Sequence, residues 1–557
     1  MKLRRFLLAG ALAAGISAVC TATYAEDVAA YYEMNIQKDV GVPLSDGTEL
    51  SANIFRPDAE GRFPVILTVG PYPKDYHFSE WSPEDYEELE QKGPNMHWET
   101  VDPDWWVPQG YVVIRVDQRG MGKSPGDVDL FSARETEDYR QVIEWAGTQP
   151  WSNGKVGLVG ISYFAMSQWR VAATQPPHLA AIIPWEGASD LYRDAMRHGG
   201  ILSNTFAKGW FGHRIKPFVH QENGKPTGTL SDLPALGAEH TMLDGYFEER
   251  IPDFSKIQVP LLSSANWGGL GLHLRGNVEG YYRAGSENKW LHFHTGSHIE
   301  AFYSLEGRAL QKRFLDQWLK DIDTGMLREP RIKLAVRGSE GITYRYENEW
   351  PIARTEWTPY YLHAGDASLS PAKPAAATEA AYQASKEAET TSISFSTAPF
   401  ETETEVTGPV KLKLWVSADV SDADLFVALR NFDADGNEVT FYGANNPEAP
   451  VSVGWLRASH RALDPELSTE WRPFHAHTTE KPLTPGEIVP VEIEIWPTSM
   501  VYDKGHRLVV EVGSKDYPGV KPFFHTDPAD RSPAGTNIIH TGGDYDSHIL
   551  LPVIPAR

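Results

Sequence analysis

The stretch from residue 156 to residue 174 constrains the fold more than any other part of the sequence. A short apolar run at 156–159 is followed by the tight turn Gly160-Ile161-Ser162 and then by helical spacing over 165–174. A strand, a strained turn that carries a serine, and a helix whose N-terminus faces that serine form a nucleophile elbow. The usual last glycine of this motif is Phe164 here. The pattern predicts that Ser162 is a nucleophile; its alternative role is a helix N-cap.

Short apolar strands alternate with helical segments on both sides of this turn. The predicted strands are 63–69, 111–116, 156–159, 180–184 and 260–264, and the predicted helices are 134–147 and 165–174. This alternation is typical of an α/β fold with a parallel, doubly wound sheet. The last two strands are separated by about 70 residues, which predicts a helical cap at about 187–256 over the carboxyl edge of the sheet.

The pattern changes after about residue 330, where helical spacing fades and strand-like alternation begins. Alternating segments occur at 411–416, 425–429, 451–456, 491–495 and 508–512. A hairpin turn is predicted at 433–437, and a loop or weakly ordered connector at about 367–391. We therefore expect an α/β-hydrolase catalytic domain over 26–335 and an all-β sandwich or jelly-roll domain over 336–557.

The N-terminus has the features of a secretory signal peptide. Three basic residues precede an apolar run at 6–19 and small residues up to Ala25. We expect cleavage after Ala25, with Ala22 as the alternative site; a buried N-terminal helix is the other interpretation. The protein is therefore expected to be exported, to the periplasm or the cell exterior.

Charge and cysteine content narrow the range of partners. Cys20 is the only cysteine and lies in the predicted signal peptide, so we expect neither a disulfide nor a thiolate metal site in the processed protein. Loss of three positive charges changes the net charge from −24 to −27. Such a chain is expected to avoid nucleic acid and anionic membranes. The sequence does not decide the oligomeric state.

A serine nucleophile needs a base, which comes later in the chain in this type of fold. Three histidines follow the last predicted parallel strand. His292 and His294 alternate with apolar residues and are predicted to lie on a strand, whereas His298 follows Gly296-Ser297 in a loop, where a base belongs. An alternating histidine pair can indicate a metal, but no Asp or Cys has matching spacing, so we expect no metal and no cofactor.

Four motifs in this order give the chain a resemblance to a known family. They are Gly70-Pro71-Tyr72-Pro73-Lys74, Asp117-Gln118-Arg119-Gly120-Met121-Gly122-Lys123-Ser124, Gly160-Ile161-Ser162-Tyr163 and Gly296-Ser297-His298. The chain resembles the cocaine esterase and X-Pro dipeptidyl-peptidase-like (CocE/NonD) serine hydrolases, which include α-amino-acid ester hydrolases and glutaryl acylases. The resemblance covers nearly all of the chain after the signal peptide.

The resemblance implies roles for four residues. Ser162 matches the nucleophile, His298 the base, and Tyr72 the tyrosine whose hydroxyl helps to form the oxyanion hole. A phenol with a pKa near 10 stays a donor at neutral pH, which suits that role. The backbone N–H of Tyr163, just after the nucleophile, is the second expected donor. The alternative for Tyr72 is a turn residue between two prolines.

The acid of the triad is where this sequence departs from the family. Relatives carry an aspartate two residues after a tryptophan, and here Gly269 occupies that position; the next carboxylate is Glu279. A histidine without an orienting carboxylate loses about four orders of magnitude in rate. Glu186 directly follows the predicted strand at 180–184, so we predict that it replaces the aspartate. A substrate-binding or rim role is its alternative, and Asp190 is a further candidate for the acid.

These observations predict a secreted serine hydrolase that needs no cofactor. It would cleave an ester or an amide or peptide bond through an acyl-serine intermediate, with a small-molecule ester, an amide or a short peptide as substrate. The alternative is a degenerate hydrolase that binds a carbohydrate or a partner. Gly269 favours that alternative, whereas Ser162, His298 and Tyr72 oppose it.

Overall fold

The computed structural model describes residues 31–385 and 391–555. The predicted signal peptide, residues 1–25, lies outside the described residues, as does part of the predicted connector. Within the described part of the chain, no helix is long and apolar enough to cross a lipid bilayer.

A mostly parallel sheet forms the centre of the N-terminal half. The strands up to residue 294 are β1 (Met34–Pro43), β2 (Glu49–Pro57), β3 (Phe63–Gly70), β4 (Val112–Asp117), β5 (Ser152–Ile161), β6 (Leu179–Trp185), β7 (Arg197–His198), β8 (Ile201–Leu202), β9 (Gln221–Glu222), β10 (Lys225–Pro226), β11 (Leu261–Asn266) and β12 (Lys289–His294). The central sheet has the order β1-β2-β4-β3-β5-β6-β11-β12 and is parallel from β4 onwards. The predicted α/β-hydrolase sheet is confirmed, and the carboxyl ends of β5, β6 and β12 meet at one edge.

Helices cover both faces of this sheet. They are α1 (Phe78–Trp81), α2 (Pro83–Glu88), α3 (Pro103–Trp106), α4 (Ala133–Gly147), α5 (Tyr163–Ala173), α6 (Thr205–Trp210), α7 (Leu233–Glu239), α8 (Gly245–Glu248), α9 (Leu274–Arg283), α10 (Glu300–Tyr303) and α11 (Leu305–Leu319). Side chains of a strand point alternately to its two faces. Val65 and Leu67 of β3 therefore share a core with Val142 of α4, whereas Ile66 shares one with Phe314 of α11.

The segment between β6 and β11 forms the expected insertion. It contains α6, α7 and α8 together with short 3₁₀ and π-helical turns. Its side chains, among them Met196, Phe211 and Leu233, share one apolar cluster with Tyr72 and Tyr163. The insertion therefore lies over the end of β5, where Ser162 is located.

The C-terminal part is rich in β-strands. Its strands are β13 (Ile332–Gly338), β14 (Gly341–Glu347), β15 (Glu356–His363), β16 (Ser368–Ser370), β17 (Thr378–Gln383), β18 (Ser392–Thr397), β19 (Thr404–Ala418), β20 (Asp424–Phe432), β21 (Ser452–Arg457), β22 (Val489–Tyr502), β23 (Arg507–Gly513), β24 (Thr536–Thr541) and β25 (His548–Ile554). β13 pairs with β12 of the central sheet, so the predicted domain boundary between residues 335 and 336 falls within a strand. β19 pairs with β22, β24 and β25, while β20 pairs with β21 and β23. Both groups of strands contribute side chains to one core.

One buried and one partly buried ion pair join the two parts of the chain. Arg472 of the C-terminal part lies 2.5 Å from Glu279 on α9, and Arg275 on α9 lies 3.0 Å from Glu494 on β22. Removal of one partner from a buried pair leaves an uncompensated charge, which costs about 3–5 kcal/mol. The interface therefore holds α9, and the sheet edge beside it, in a fixed position.

Candidate active site

Ser162 lies in a strained turn between β5 and α5. Its backbone angles are φ 55° and ψ −116°, and its side chain makes no N-cap hydrogen bond to α5. The Ser162 N–H donates to the carbonyl oxygens of Trp185 (3.2 Å) and Glu186 (3.1 Å) at the end of β6. Backbone strain of this kind persists only where the surrounding structure enforces it, and it is common at active sites. The turn therefore exposes the Ser162 hydroxyl at the end of β5, and this hydroxyl is not engaged in an N-cap hydrogen bond.

The bulk of Phe164 in the elbow is accommodated by glycines around it. A Cβ atom on Gly160 would lie 2.5 Å from Phe164 Cβ, and one on Gly70 would lie 2.5 Å from the Phe164 ring. A Cβ atom on Gly187 would lie 2.5 Å from Ala165 Cβ at the start of α5. The close approach that the elbow needs is thus supplied by glycines on β3, β5 and the chain after β6.

His298 and Glu186 form a hydrogen-bonded pair in which the carboxylate is buried and the imidazole is partly exposed. Glu186 directly follows β6, is 0 % exposed and has a φ of 45°. Its Oε2 lies 2.8 Å from His298 Nδ1, and its Oε1 accepts a hydrogen bond of 3.1 Å from Asn266 Nδ2 at the end of β11. The contact expected from the sequence is present, and it supplies the carboxylate whose absence at Gly269 favoured a degenerate hydrolase.

The chain around Glu186 is held by Asn277 on α9. The Asn277 side chain accepts a hydrogen bond from the Gly187 N–H (2.7 Å) and donates one to the Pro184 carbonyl (2.9 Å). Both bonds are buried. The backbone on each side of Glu186 is therefore fixed to a helix.

The other carboxylates considered from the sequence lie elsewhere. Asp190 pairs with Arg193 at 2.6 Å and caps the short helical turn that follows it. Glu279 pairs with Arg472. Gly269 lies in the turn after β11, where its N–H donates to the Asn266 carbonyl (2.9 Å). Among the candidates for the acid considered from the sequence, only Glu186 contacts His298.

A second carboxylate, which the sequence analysis missed, contacts the same imidazole. Glu99 Oε1 lies 2.9 Å from His298 Nε2, and the Glu99 side chain is 4 % exposed. Among the described residues, Ser162 makes no hydrogen bond to His298. Glu99 has a positive φ of 60° and belongs to no recognisable motif, so the sequence offered no signal for it.

The two carboxylates determine the charge of His298. Burial lowers the pKa of His298, but the negative charges of Glu186 and Glu99 outweigh burial and raise it to about 10. Burial also raises the pKa of Glu99, partly opposed by His298. The imidazole therefore carries a positive charge at neutral pH in the substrate-free protein.

Tyr72 lines the same pocket as Ser162 and keeps its hydroxyl proton. Its oxygen accepts a hydrogen bond of 2.9 Å from Trp210 Nε1 on α6, which leaves the hydroxyl proton free to donate. Burial raises the pKa of Tyr72 well above its usual value, so the phenol stays neutral. The N–H of Tyr163, the first residue of α5, has no acceptor four residues back within the helix.

An apolar pocket lies beside Ser162. It is lined by side chains of the elbow, of the insertion and of the loops after β3, before α4 and after β11, namely Tyr72, Phe131, Tyr163, Met166, Leu191, Ala195, Met196, Phe206, Ala207, Trp210, Leu233 and Leu272. None of these side chains is charged. The pocket therefore suits an uncharged, apolar group attached to the carbonyl that Ser162 would attack.

One set of side chains in the described chain meets the distance requirement of a metal site. Glu186, His273 and His298 each place a candidate ligand atom within 4.8 Å of the others. The rings of His273 and His298 are stacked, with an interplanar angle of 9° and centroids 5.2 Å apart. Their in-plane lone pairs run side by side and do not converge on the tetrahedral geometry of zinc. A metal ion held by all three side chains would require one of the two rings to turn.

A loop of the C-terminal part, at Ala444, bonds to the His298 loop after β12 and to the Gly268 loop after β11. The His298 N–H donates to the Ala444 carbonyl (3.1 Å), and the Ala444 N–H donates to the Gly268 carbonyl (3.2 Å) after β11. Gly268 packs so tightly that a Cβ atom there would lie 2.1 Å from Gly443 Cα. The position of His298 therefore depends on the β-rich part of the chain.

Comparison with known protein families divides the chain into two matched regions. Residues 46–300 match the X-Pro dipeptidyl-peptidase (S15 family), and residues 324–550 match the X-Pro dipeptidyl-peptidase C-terminal non-catalytic domain. The first region contains all the residues of the candidate site except the Ala444 loop. Together the matches bear out the resemblance drawn from the motifs.

Individual relatives agree with this division. The crystal structure of a CocE/NonD family hydrolase from Staphylococcus aureus is 36% identical in sequence, covers 94% of this chain and 94% of its own, and superposes with a TM-score of 0.86. The cocaine esterase of Rhodococcus sp. (strain MB1 Bresler) is 25% identical over 93% of this chain and 99% of its own. An α-amino acid ester hydrolase, 19% identical over 97% of this chain and 100% of its own, has the same fold with a TM-score of 0.70.

The Gly268–Gly443 contact gives the first prediction. Gly268→Ala should lower kcat and the melting temperature together, because the added methyl group meets backbone and must push the Ala444 loop away from His298. Gly245→Ala is the control, since a Cβ atom there meets nothing within 4 Å. Ester hydrolysis and thermal unfolding of both variants test this. A Gly268→Ala variant with unchanged kcat would show that the loop does not position His298.

Proposed function

The chain belongs to the CocE/NonD family of serine hydrolases, and we propose that it cleaves carboxylic ester or amide bonds through an acyl-enzyme on Ser162. The observation that carries this proposal is the strained turn at Ser162 beside the hydrogen-bonded Glu186–His298 pair at one edge of the sheet. Strand β5 ends at Ser162, β6 ends at Glu186, and β12 leads to His298. Three parallel strands thus bring together groups that are 136 positions apart at most, from Ser162 to His298.

In the first half of the reaction, Ser162 Oγ attacks the substrate carbonyl carbon while His298 Nε2 accepts the hydroxyl proton. In the neutral form of His298 that acts as the base, Glu186 holds the Nδ1 proton, so that Nε2 has the free lone pair. The Tyr72 hydroxyl and the Tyr163 N–H donate to the oxyanion that forms. Collapse of this intermediate breaks the bond to the leaving group, which takes the proton from Nε2.

In the second half, water attacks the acyl-serine and the same groups act again. His298 Nε2 takes a proton from the water as its oxygen bonds to the carbonyl carbon. The same donors stabilise the second oxyanion, and Ser162 leaves with the proton from Nε2. No step of this cycle uses a metal or an organic cofactor.

The pocket and the relatives restrict the substrate to a class. Because the pocket beside Ser162 is apolar, we propose an ester, an amide or a short peptide whose acyl side is small and uncharged near the carbonyl. Cocaine esterase and the X-Pro dipeptidyl-peptidases are named for an ester and for proline-containing peptides, respectively. A net charge of −24 argues against nucleic acid or an anionic membrane as partner.

We further propose that the protein is exported and that its C-terminal domain is a jelly roll. The basic, apolar and small-residue order of residues 1–25 supports export. Two groups of mostly antiparallel strands that share one core support the jelly roll.

Covalent labelling tests the nucleophile directly. A fluorophosphonate should form an adduct on Ser162, because this hydroxyl alone is presented by the elbow beside the base. Mass spectrometry of the tryptic peptide locates the adduct, and Ser162→Ala should lose both labelling and ester hydrolysis. An adduct on another serine of active protein would reject the assignment.

Removal of one hydroxyl tests the oxyanion hole. Tyr72→Phe should lower kcat by roughly ten- to a thousandfold, the usual effect of losing one donor. Tyr192→Phe is a matched control, because its buried ring is in the same apolar cluster while its hydroxyl donates to the Thr241 carbonyl. Its kcat should stay within about twofold of wild type, since that hydroxyl lies outside the oxyanion hole. Equal effects of the two changes would reduce Tyr72 to a packing residue.

Replacement of the carboxylate tests the triad acid. Glu186→Gln should keep the fold but lower kcat by about four orders of magnitude, because the amide can hold the wrong histidine tautomer. Asp190→Asn is the control, because Asp190 was the other candidate for the acid but pairs with Arg193. This change should leave the tautomer of His298 unaltered. Steady-state kinetics and circular dichroism of both variants suffice. A larger kinetic loss in Asp190→Asn than in Glu186→Gln would reverse the assignment.

A further inference from the structure

In the structure, His298 Nε2 faces the Glu99 carboxylate. A histidine that acts as the base for Ser162 would instead face the Ser162 hydroxyl. Glu99 is not a surface side chain that reaches the site by chance. The Ile161 N–H donates to the Glu99 carbonyl (3.0 Å), and Thr100 forms a β-bridge with Gly160. The backbone of Glu99 is thus attached to the strand that carries the nucleophile elbow, and its carboxylate is held 2.9 Å from Nε2.

The hydrogen bonds of His298 define its protonation when both carboxylates are ionised. An ionised carboxylate can only accept hydrogen bonds, so an imidazole with an ionised carboxylate on each nitrogen carries a proton on both. The Nδ1 proton faces Glu186 and the Nε2 proton faces Glu99. An imidazolium of this kind has no lone pair with which to accept the Ser162 proton.

We propose that Glu99 is a positioning residue that holds His298 in a resting, doubly protonated state, so that the imidazole becomes a base only after Glu99 releases Nε2. This inference rests on the proposed function. On release, the Glu99 carboxylate moves away from the imidazole and the Nε2 proton passes to solvent. The freed lone pair then accepts the Ser162 hydroxyl proton as Oγ bonds to the carbonyl carbon.

The other titratable groups packed against His298 and Glu99 are uncharged. The charges of the site therefore lie on His298, Glu99 and Glu186. The His273 ring stacks on His298, and burial lowers the pKa of His273 well below its usual value, so it stays neutral. Burial likewise lowers the pKa of His294, whose Nε2 lies 3.7 Å from Glu186 Oε1. Burial keeps the hydroxyls of Tyr72 and Tyr303, which also feel Glu99, protonated.

The Trp98 ring packs against His298 with a centroid distance of 6.2 Å and carries no charge. The site therefore holds one positive charge between two carboxylates. Because a protonated His298 cannot act, activity should increase as the pH rises through the pKa of His298, which the carboxylates raise to about 10 against the effect of burial.

The test is the pH dependence of kcat/KM for an uncharged p-nitrophenyl ester and of the rate of fluorophosphonate inactivation. The wild-type acid limb should have its midpoint at least about one pH unit above the 6.5 of an ordinary histidine. Glu99→Gln and Glu99→Ala should each move that midpoint down by at least about one unit and raise kcat/KM at pH 7 about tenfold or more. A role in folding alone would not move the midpoint.

Glu135→Gln is the matched control. Glu135 is a carboxylate near the elbow that accepts a hydrogen bond of 2.7 Å from the Tyr163 hydroxyl and does not contact His298. Its removal changes the net charge equally but should leave the midpoint in place. A midpoint that moves equally in Glu135→Gln would overturn the specific role of Glu99.

A second measurement does not depend on the variants. In a crystal structure of the wild-type phosphonate adduct, the Glu99 carboxylate should have left Nε2, which should face Ser162. A wild-type midpoint near 6.5, an unmoved midpoint in both variants, or a Glu99 still bonded to Nε2 in the adduct would each overturn the proposal. Absence of both turnover and Ser162 labelling in wild type would instead overturn the proposed function.

Discussion

Burial of the Glu186 charge is the constraint on which the rest of the site depends. A buried carboxylate is tolerated only when donors and positive charge compensate for its lost hydration. Here Asn266 at the end of β11 and His298 after β12 supply the two direct contacts. Asn277 on α9 ties down the backbone on each side. The Glu186 carboxylate thus joins the end of β11 to the His298 loop, and the backbone on each side of it joins β6 to α9.

Two departures, one from the family pattern and one from the usual nucleophile-elbow motif, are compensated by neighbouring residues. With Gly269 in place of the usual aspartate, the carboxylate comes from the adjacent strand end, and the imidazole reaches it without a change in the sheet. With Phe164 in place of the usual glycine, the space for its ring comes from Gly70 and Gly160. The triad requires a carboxylate beside the histidine, and the elbow requires space around residue 164. The fold can supply each of them from more than one position in the chain.

The β-rich C-terminal part contributes to the site without supplying a side chain to the reaction. Its Ala444 backbone bonds to the loops of both His298 and Gly268, and its Arg472 neutralises Glu279 on α9. These contacts help to fix the loops at the carboxyl edge of the sheet and the helix beside them. Catalytic loops need such support because small errors in position cost large factors in rate.

The sequence by itself determined five central strands and two helices of the catalytic half, because their apolar periodicity and the elbow motif are local. Segments 134–147 and 165–174 match α4 and α5 to within two residues at their N-termini and one at their C-termini. Glu186 was also within reach of the sequence, since a residue that ends a parallel strand must lie at the edge where the site forms. Three contacts were decided only by the tertiary structure: Glu99 against Nε2, the stacking of His273 on His298, and the Ala444 loop. Each joins His298 to a residue that is distant in the chain and carries no motif, so only the packed fold brings their atoms within hydrogen-bonding or stacking distance.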